Sequence, residues 1–156
     1  MSNGQILLKR NPIFNDKDKD FYASWENEHG QQALPWALAT GVTYYAQIHY
    51  IQSNDHNLST DEWDGAIEYN VDPSASTVAN NPSREAASDA YYKAQILVDE
   101  RRLFIGDAAS HSKHVPEGTV SGTKIVMIEN GRATRPIDER WVKLWQEYLD
   151  RYASTQ

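Results

Sequence analysis

Val42-Thr43-Tyr44-Tyr45-Ala46-Gln47-Ile48-His49-Tyr50-Ile51 is the stretch on which the fold turns. A strand sends successive side chains to opposite faces. Val42, Tyr44, Ala46, Ile48 and Tyr50 therefore share one face. Thr43, Tyr45, Gln47, His49 and Ile51 share the other. No Asp, Glu, Lys or Arg occurs from Gln31 to Asn54. Pro35, Gly41, Gln47 and His49 interrupt that run, and its spacing changes from helical to alternating. It therefore reads as a buried strand and its approach, not as a membrane span.

Working outward, residues 5–10 form a first strand stopped by Asn11-Pro12. Asn15 or Asp16 caps a helix running to about His29, and Gly30 follows its end. Phe21, Trp25 and His29 are spaced i, i+4, i+8 and share one core-facing stripe. Residues 35–40 make one short helical turn closed by Gly41. After a polar loop over 52–63, residues 64–71 form the next strand. Residues 82–98 form a helix, with Ala86, Tyr91, Ala94 and Leu97 toward the core. Residues 106–118 are a loop, and 124–129 a last strand ended by Asn130-Gly131. Residues 138–152 are the clearest helix, with an apolar stripe of Trp141, Leu144, Trp145, Tyr148, Leu149 and Tyr152. Asp138 caps it, and Ile137 with Val142 would staple it.

The resulting order is β-α-β-β-α-β plus a helix. It predicts an α+β, ferredoxin-like antiparallel sheet with helices on one face. A single domain spans 1–156, with its core over about 5–130 and its extra helix over about 138–153. Pairing of two sheets in a homodimer is one way to cover the opposite face.

Charge narrows the function classes. Lys+Arg is 15 against Asp+Glu 22, a formal net charge of −7. No basic stripe exists to meet phosphates or an anionic bilayer, so neither nucleic acid nor membrane is an expected partner. The chain has no cysteine, which excludes disulfides, thiolate metal sites and cysteine nucleophiles. The start, Met1-Ser2-Asn3-Gly4, lacks the basic-then-apolar pattern of a targeting leader, and a cytoplasmic location is expected.

His29 and His49 sit in apolar, largely uncharged settings. If strands 42–51 and 64–71 pair about a symmetric loop, His49 lies opposite Asp64 and can touch it. A carboxylate there would fix the imidazole tautomer and leave the other nitrogen for acid–base work. A helix C-terminus at His29 would favour its cation. The competing reading makes each a satisfied core histidine. Tyr45 could donate a proton, while cross-strand packing suits Tyr44. Trp36 and Trp63 flank the strand pair and could stack on a flat ligand, or simply pack. His111 and His114 lie in a polar loop without a completing carboxylate set, so no metal is expected. Asp16 to Asp20 lacks the glycine and closing glutamate of a calcium loop. No phosphate loop, dinucleotide fingerprint or nucleophile elbow is present.

Several segments resemble EthD-domain proteins in order and spacing. These are Leu7-Leu8-Lys9-Arg10, Phe21 to Gly30 with its terminal Glu28-His29, Tyr45-Ala46-Gln47-Ile48-His49, Trp63-Asp64-Gly65 and Asp99-Glu100-Arg101-Arg102-Leu103-Phe104. Val98 stands where that family usually has proline. Pro35-Trp36-Ala37-Leu38 and the long loop after Glu68 look more like the fungal branch, which includes proteins of the atrochrysone carboxylic acid decarboxylase type. The resemblance implies a dimeric α+β barrel without metal or organic cofactor, handling hydrophobic aromatic molecules. The expectation is a lyase of polyketide-type secondary metabolism, with decarboxylation foremost and dehydration or cyclisation beside it. His49 with Asp64, His29 and Tyr45 would move protons, and Trp25, Trp36, Gln47, Trp63 and Phe104 would line the pocket. The alternative is a non-catalytic carrier for the same compounds.

Overall fold

The computed structural model describes residues 4–14, 20–59, 62–105 and 112–153. The sheet has six strands: β1 Gln5–Leu8, β2 Val42–Ser53, β3 Gly65–Val71, β4 Ser112–Val115, β5 Val120–Glu129 and β6 Arg132–Ala133. Their order is β4-β1-β3-β2-β5-β6, antiparallel throughout. The first four strands have the ferredoxin-like order, so the expected α+β class stands. The fourth strand of that order is β4, however, within a segment expected to be loop. Ser112-Lys113-His114-Val115 carries no apolar alternation because it is an edge strand. The expected last strand is instead the core of β5, which adds to the other side of β2.

The first helix departs from its sequence signals. Tyr22–Ser24, Trp25–His29 and Gly30–Ala39 run on without a break, and together are called α1. Gly30 is helical, with φ −58°. It does not close the helix; it lets the helix approach the sheet. A Cβ there would lie 2.7 Å from Met127 Sδ and 3.1 Å from Gln47 Nε2. His29 is consequently mid-helix, and the expected dipole effect on it is absent. Pro35 is carried inside the helix rather than opening a new one.

Trp25–His29 is a π turn, in which Gly30 N–H donates to the Trp25 carbonyl. The second helix, α2, is built alike: Pro82–Tyr91, a π turn at Tyr92–Ile96, then Leu97–Leu103. The added residue advances the buried stripe from Ala87 and Tyr91 to Ile96 and Leu103. That is why Ala94 is exposed instead; Ala86, which precedes the turn, is exposed because it lies one position off the Ala87–Tyr91 stripe.

The last helix, α3, spans Glu139–Ala153. The Asp138 carboxylate accepts from Arg140 N at 2.9 Å, the expected cap. Trp145 and Tyr148 meet the Tyr91 ring edge-on, each 5.3 Å from it, so α3 covers α2 and not the sheet. The staple does not form: Ile137 packs with the Leu34, Ala37, Met127 and Ile128 cluster, while Val142 is exposed. Among the described residues no helix is long and apolar enough to cross a membrane.

The two sheet faces are both built over. α1 and α2 cover the face of Ile6, Leu8, Tyr45, Gln47, His49 and Ile67. On the other face, Leu7, Ile48, Ala66 and Val120 pack with Leu58, Trp63 and Val115 of the same chain. The sheet curls to allow this. Gln5, on β1, accepts from Val120 N through Oε1 at 2.9 Å and donates from Nε2 to Val120 O at 3.1 Å. Its amide thereby joins β1 to β5, which is not its ladder neighbour.

Gly65 marks the tightest approach of sheet and helix. A Cβ on it would lie 2.5 Å from Trp25 Cζ3. The Trp25 ring is wedged between His49 and Phe104 and has nowhere to go. Gly65→Ala should therefore destabilise by about 1–3 kcal/mol, the usual cost of overpacking. Urea unfolding measures it, and a wild-type midpoint would refute this account of the contact.

Candidate functional site

Between the sheet and helices α1 and α2 lies a cavity of about 420 Å³. That is within the range for a small-molecule site. Its walls are mainly aromatic and aliphatic, with Trp25, Trp36, Tyr69, Tyr92 and Phe104 supplying rings. Its polar groups include His29, Tyr45 and Glu100. Each helix contributes a stripe at steps of four, Tyr92, Ile96 and Glu100 from α2, with Phe104 just past its end, and Trp25, His29 and Ala33 from α1. Both π turns sit in these stripes. Such turns are frequent at functional sites because they re-aim side chains.

The anticipated histidine–carboxylate pair exists, but on the other histidine. His29 Nδ1 lies 3.0 Å from Asp99 Oδ2. Asp99 Oδ1 accepts from Arg102 Nε at 2.8 Å. Burial acts to raise the Asp99 carboxyl, but hydrogen bonds from His29 and Arg102 outweigh it and hold it below the ordinary carboxylate value. An ionised carboxylate can only accept, so Nδ1 carries a proton. Nε2 is left for acid–base work at the cavity wall. His29 is 5 % exposed, and Phe104 meets it edge-on.

His49 is differently placed. Its cross-strand partner is Gly65, one residue from the expected Asp64. The Asp64 carboxylate instead accepts from Arg10 N at 2.8 Å and pairs with the Arg10 guanidinium. His49 is stacked between Tyr22 and Trp25, with ring centroids 4.7 and 5.0 Å away, and is 3 % exposed. It does not line the cavity. Burial lowers its pKa to about 4, against a small opposing pull from Glu26. The ring is neutral at pH 7, so His49 follows the core-histidine reading.

Gln47 links these parts. Its Nε2 donates to the Trp25 carbonyl at 3.0 Å and to the Tyr45 hydroxyl at 3.1 Å. The carbonyl can only accept, which fixes the amide orientation. Gln47 Oε1 therefore faces His49 Nε2 at 2.9 Å, and the neutral ring must donate from Nε2. Gln47 is fully buried behind the cavity, not on its wall.

Tyr45 lines the cavity, and its hydroxyl lies at the buried Gln47 amide. Burial pushes that hydroxyl up to about 12. Donation from Gln47 pulls it back, the Glu100 carboxylate adds to the rise, and donation from Trp25 opposes it. The oxygen already accepts from two donors, so its own proton is the one it has to give.

Of the expected lining residues, Trp25, Trp36 and Phe104 are present. Trp36 stacks on Tyr92, with centroids 5.4 Å apart. Trp63 lies on the opposite sheet face beneath the Lys9 ammonium. Asp99, Glu100 and Tyr92 carried no assigned role in the sequence reading. The four-residue recurrence from Tyr92 to Phe104 was the available signal. His114 is exposed on β4 beside Ile6, and His111 lies outside the described residues, as do 15–19 of the acidic helix start. Comparisons with protein-family models, curated proteins and solved structures find no match.

The depressed His49 pKa has a stability consequence. Its unfolded value is 6.5 and its folded value about 4. The unfolded state binds the extra proton between them, so stability contributed above pH 6.5 drains away as pH falls through about 4. Unfolding free energies across pH 7.5–4 should show this loss, and NMR should place the His49 titration near pH 4. A His49 titration above pH 6 would contradict the buried, neutral assignment.

Proposed function

We propose that the protein is a lyase acting on a hydrophobic aromatic small molecule through proton transfers by its own side chains. The observation that carries this is one cavity whose wall holds both His29, oriented by Asp99, and Tyr45, oriented by Gln47. His29 and Tyr45 have opposite assignments. Tyr45 donates to the oxygen on which negative charge develops. His29 gives or takes the proton at the reacting atom through Nε2, while Asp99 holds the ring and stabilises the imidazolium. Loss of CO2 from an aryl or β-keto acid, loss of water and ring closure all run through this pair. In decarboxylation the bond to the carboxyl carbon breaks, its electron pair becomes an enolate steadied by Tyr45, and His29 protonates carbon. In dehydration His29 takes the proton next to the carbonyl and returns it to the departing hydroxyl.

Apolar walls favour these steps because little water competes with the placed donors. A second copy covering part of the sheet, as in a dimeric barrel, would be compatible with this site, which lies on the helix side. The carrier reading draws its support from His49, which is locked away from ligand.

The test is turnover of a panel of polyketide-type aromatic acids, ketones and alcohols, followed by product mass. Tyr45→Phe should cost about 10²–10³-fold in kcat, the usual cost of losing one oxyanion donor. His29→Gln should cost about 10²–10⁴-fold. Both should leave ligand binding nearly intact. Panel members that bind but emerge unchanged in mass and retention would establish the carrier instead.

A further inference from the structure

We propose that the Tyr69 hydroxyl anchors an oxygen of the aromatic ligand, so that the cavity takes oxygenated rings in preference to bare hydrocarbons. The inference rests on the site assigned above and names how its ligand is held. Tyr69 is the cross-strand partner of Tyr45, and both line the cavity. Ile67 and Val71, two residues to either side on β3, line it as well, so Tyr69 stands on the helix-facing side of the strand. Burial falls along this row, from the half-buried Ile67 to Val71, which is 45 % exposed. Tyr69 therefore sits toward its outer end.

The other rings of the wall are engaged by the protein. Trp25 lies against His49 and Phe104, Trp36 stacks on Tyr92, and the Tyr45 hydroxyl takes the Gln47 amide. Among the described residues the Tyr69 side chain has neither a ring contact nor a hydrogen-bond partner. Nor is its oxygen one of the sealed, unpartnered atoms, so it opens onto accessible space. A tyrosine hydroxyl both donates and accepts, and Tyr69 keeps both capacities. A phenol can donate to it, and a ketone can accept from it. A hydrocarbon of the same shape does neither, yet it displaces the water on the hydroxyl without compensation. One such polar contact also decides which way round a flat ring lies on apolar walls, which packing alone does not.

Equilibrium dialysis of 2-naphthol and of naphthalene against wild type, Tyr69→Phe and Tyr45→Phe tests this, since the probes share one ring system. Tyr69→Phe should weaken 2-naphthol about three- to tenfold, the net worth of one neutral hydrogen bond, and leave naphthalene unchanged. Phenylalanine keeps the ring, so the urea midpoint should stay at the wild-type value; a lowered midpoint would reveal a structural hydroxyl and overturn the proposal. Tyr45→Phe, which acts on charge that develops during reaction, should keep its 2-naphthol affinity. Unchanged 2-naphthol affinity in Tyr69→Phe, or equal weakening of both probes, overturns the proposal and leaves the catalytic reading standing. Weakening in Tyr45→Phe alone moves the anchor to Tyr45 and overturns it likewise. If wild type binds neither probe, both readings fall. Turnover enters none of these readouts, so a failed activity assay does not bear on them.

Discussion

The buried amide of Gln47 is the constraint around which the site is arranged. It sits on β2, has no contact with solvent, and must find its partners within the protein. Leaving such a group unsatisfied costs about 1–3 kcal/mol. One of its N–H groups is satisfied because α1 comes close enough to offer the Trp25 carbonyl. That approach needs a hydrogen at Gly30, where a side chain would strike Met127. The Trp25 carbonyl also receives Gly30 N–H across the π turn. Helix spacing, helix register and the orientations of Tyr45 and His49 are thus joined through one side chain.

The elements themselves were largely legible. Strand β2 follows from its alternation, and α3 from a stripe that is local and uninterrupted. What could not be read was anything settled by partners distant in sequence. Gly30 carries the same local signature as a helix-closing glycine, and only the position of Met127 tells them apart. Asp99 is a surface-type residue in its own helix until His29, 70 positions away, is placed against it.

The mistaken pairing of His49 with Asp64 has a simple physical origin. A one-residue slip in register changes which side chains face each other. A long polar loop between the strands does not specify that register, whereas the flat contact of Gly65 under the Trp25 ring does. The sequence reading therefore placed on His49 an imidazole–carboxylate contact that the structure has on His29. That moves it from a layer sealed between Tyr22 and Trp25 to the wall of a cavity.

The paired π turns have a consequence for how this protein can change over time. Each is one residue longer than the regular helix that could replace it. Removing the extra residue together with the turn would leave the following faces in place, but returning either turn to ordinary helical pitch with its residue count unchanged would rotate everything beyond by about 100°, the angle set by 3.6 residues per turn. In α1 that would swing Ala33 and Trp36 away from the ligand space, and in α2 it would swing Glu100 and Phe104. The pocket is therefore sensitive to helix pitch as well as to residue identity. Substitutions that straightened one turn could keep the fold and yet present a different wall.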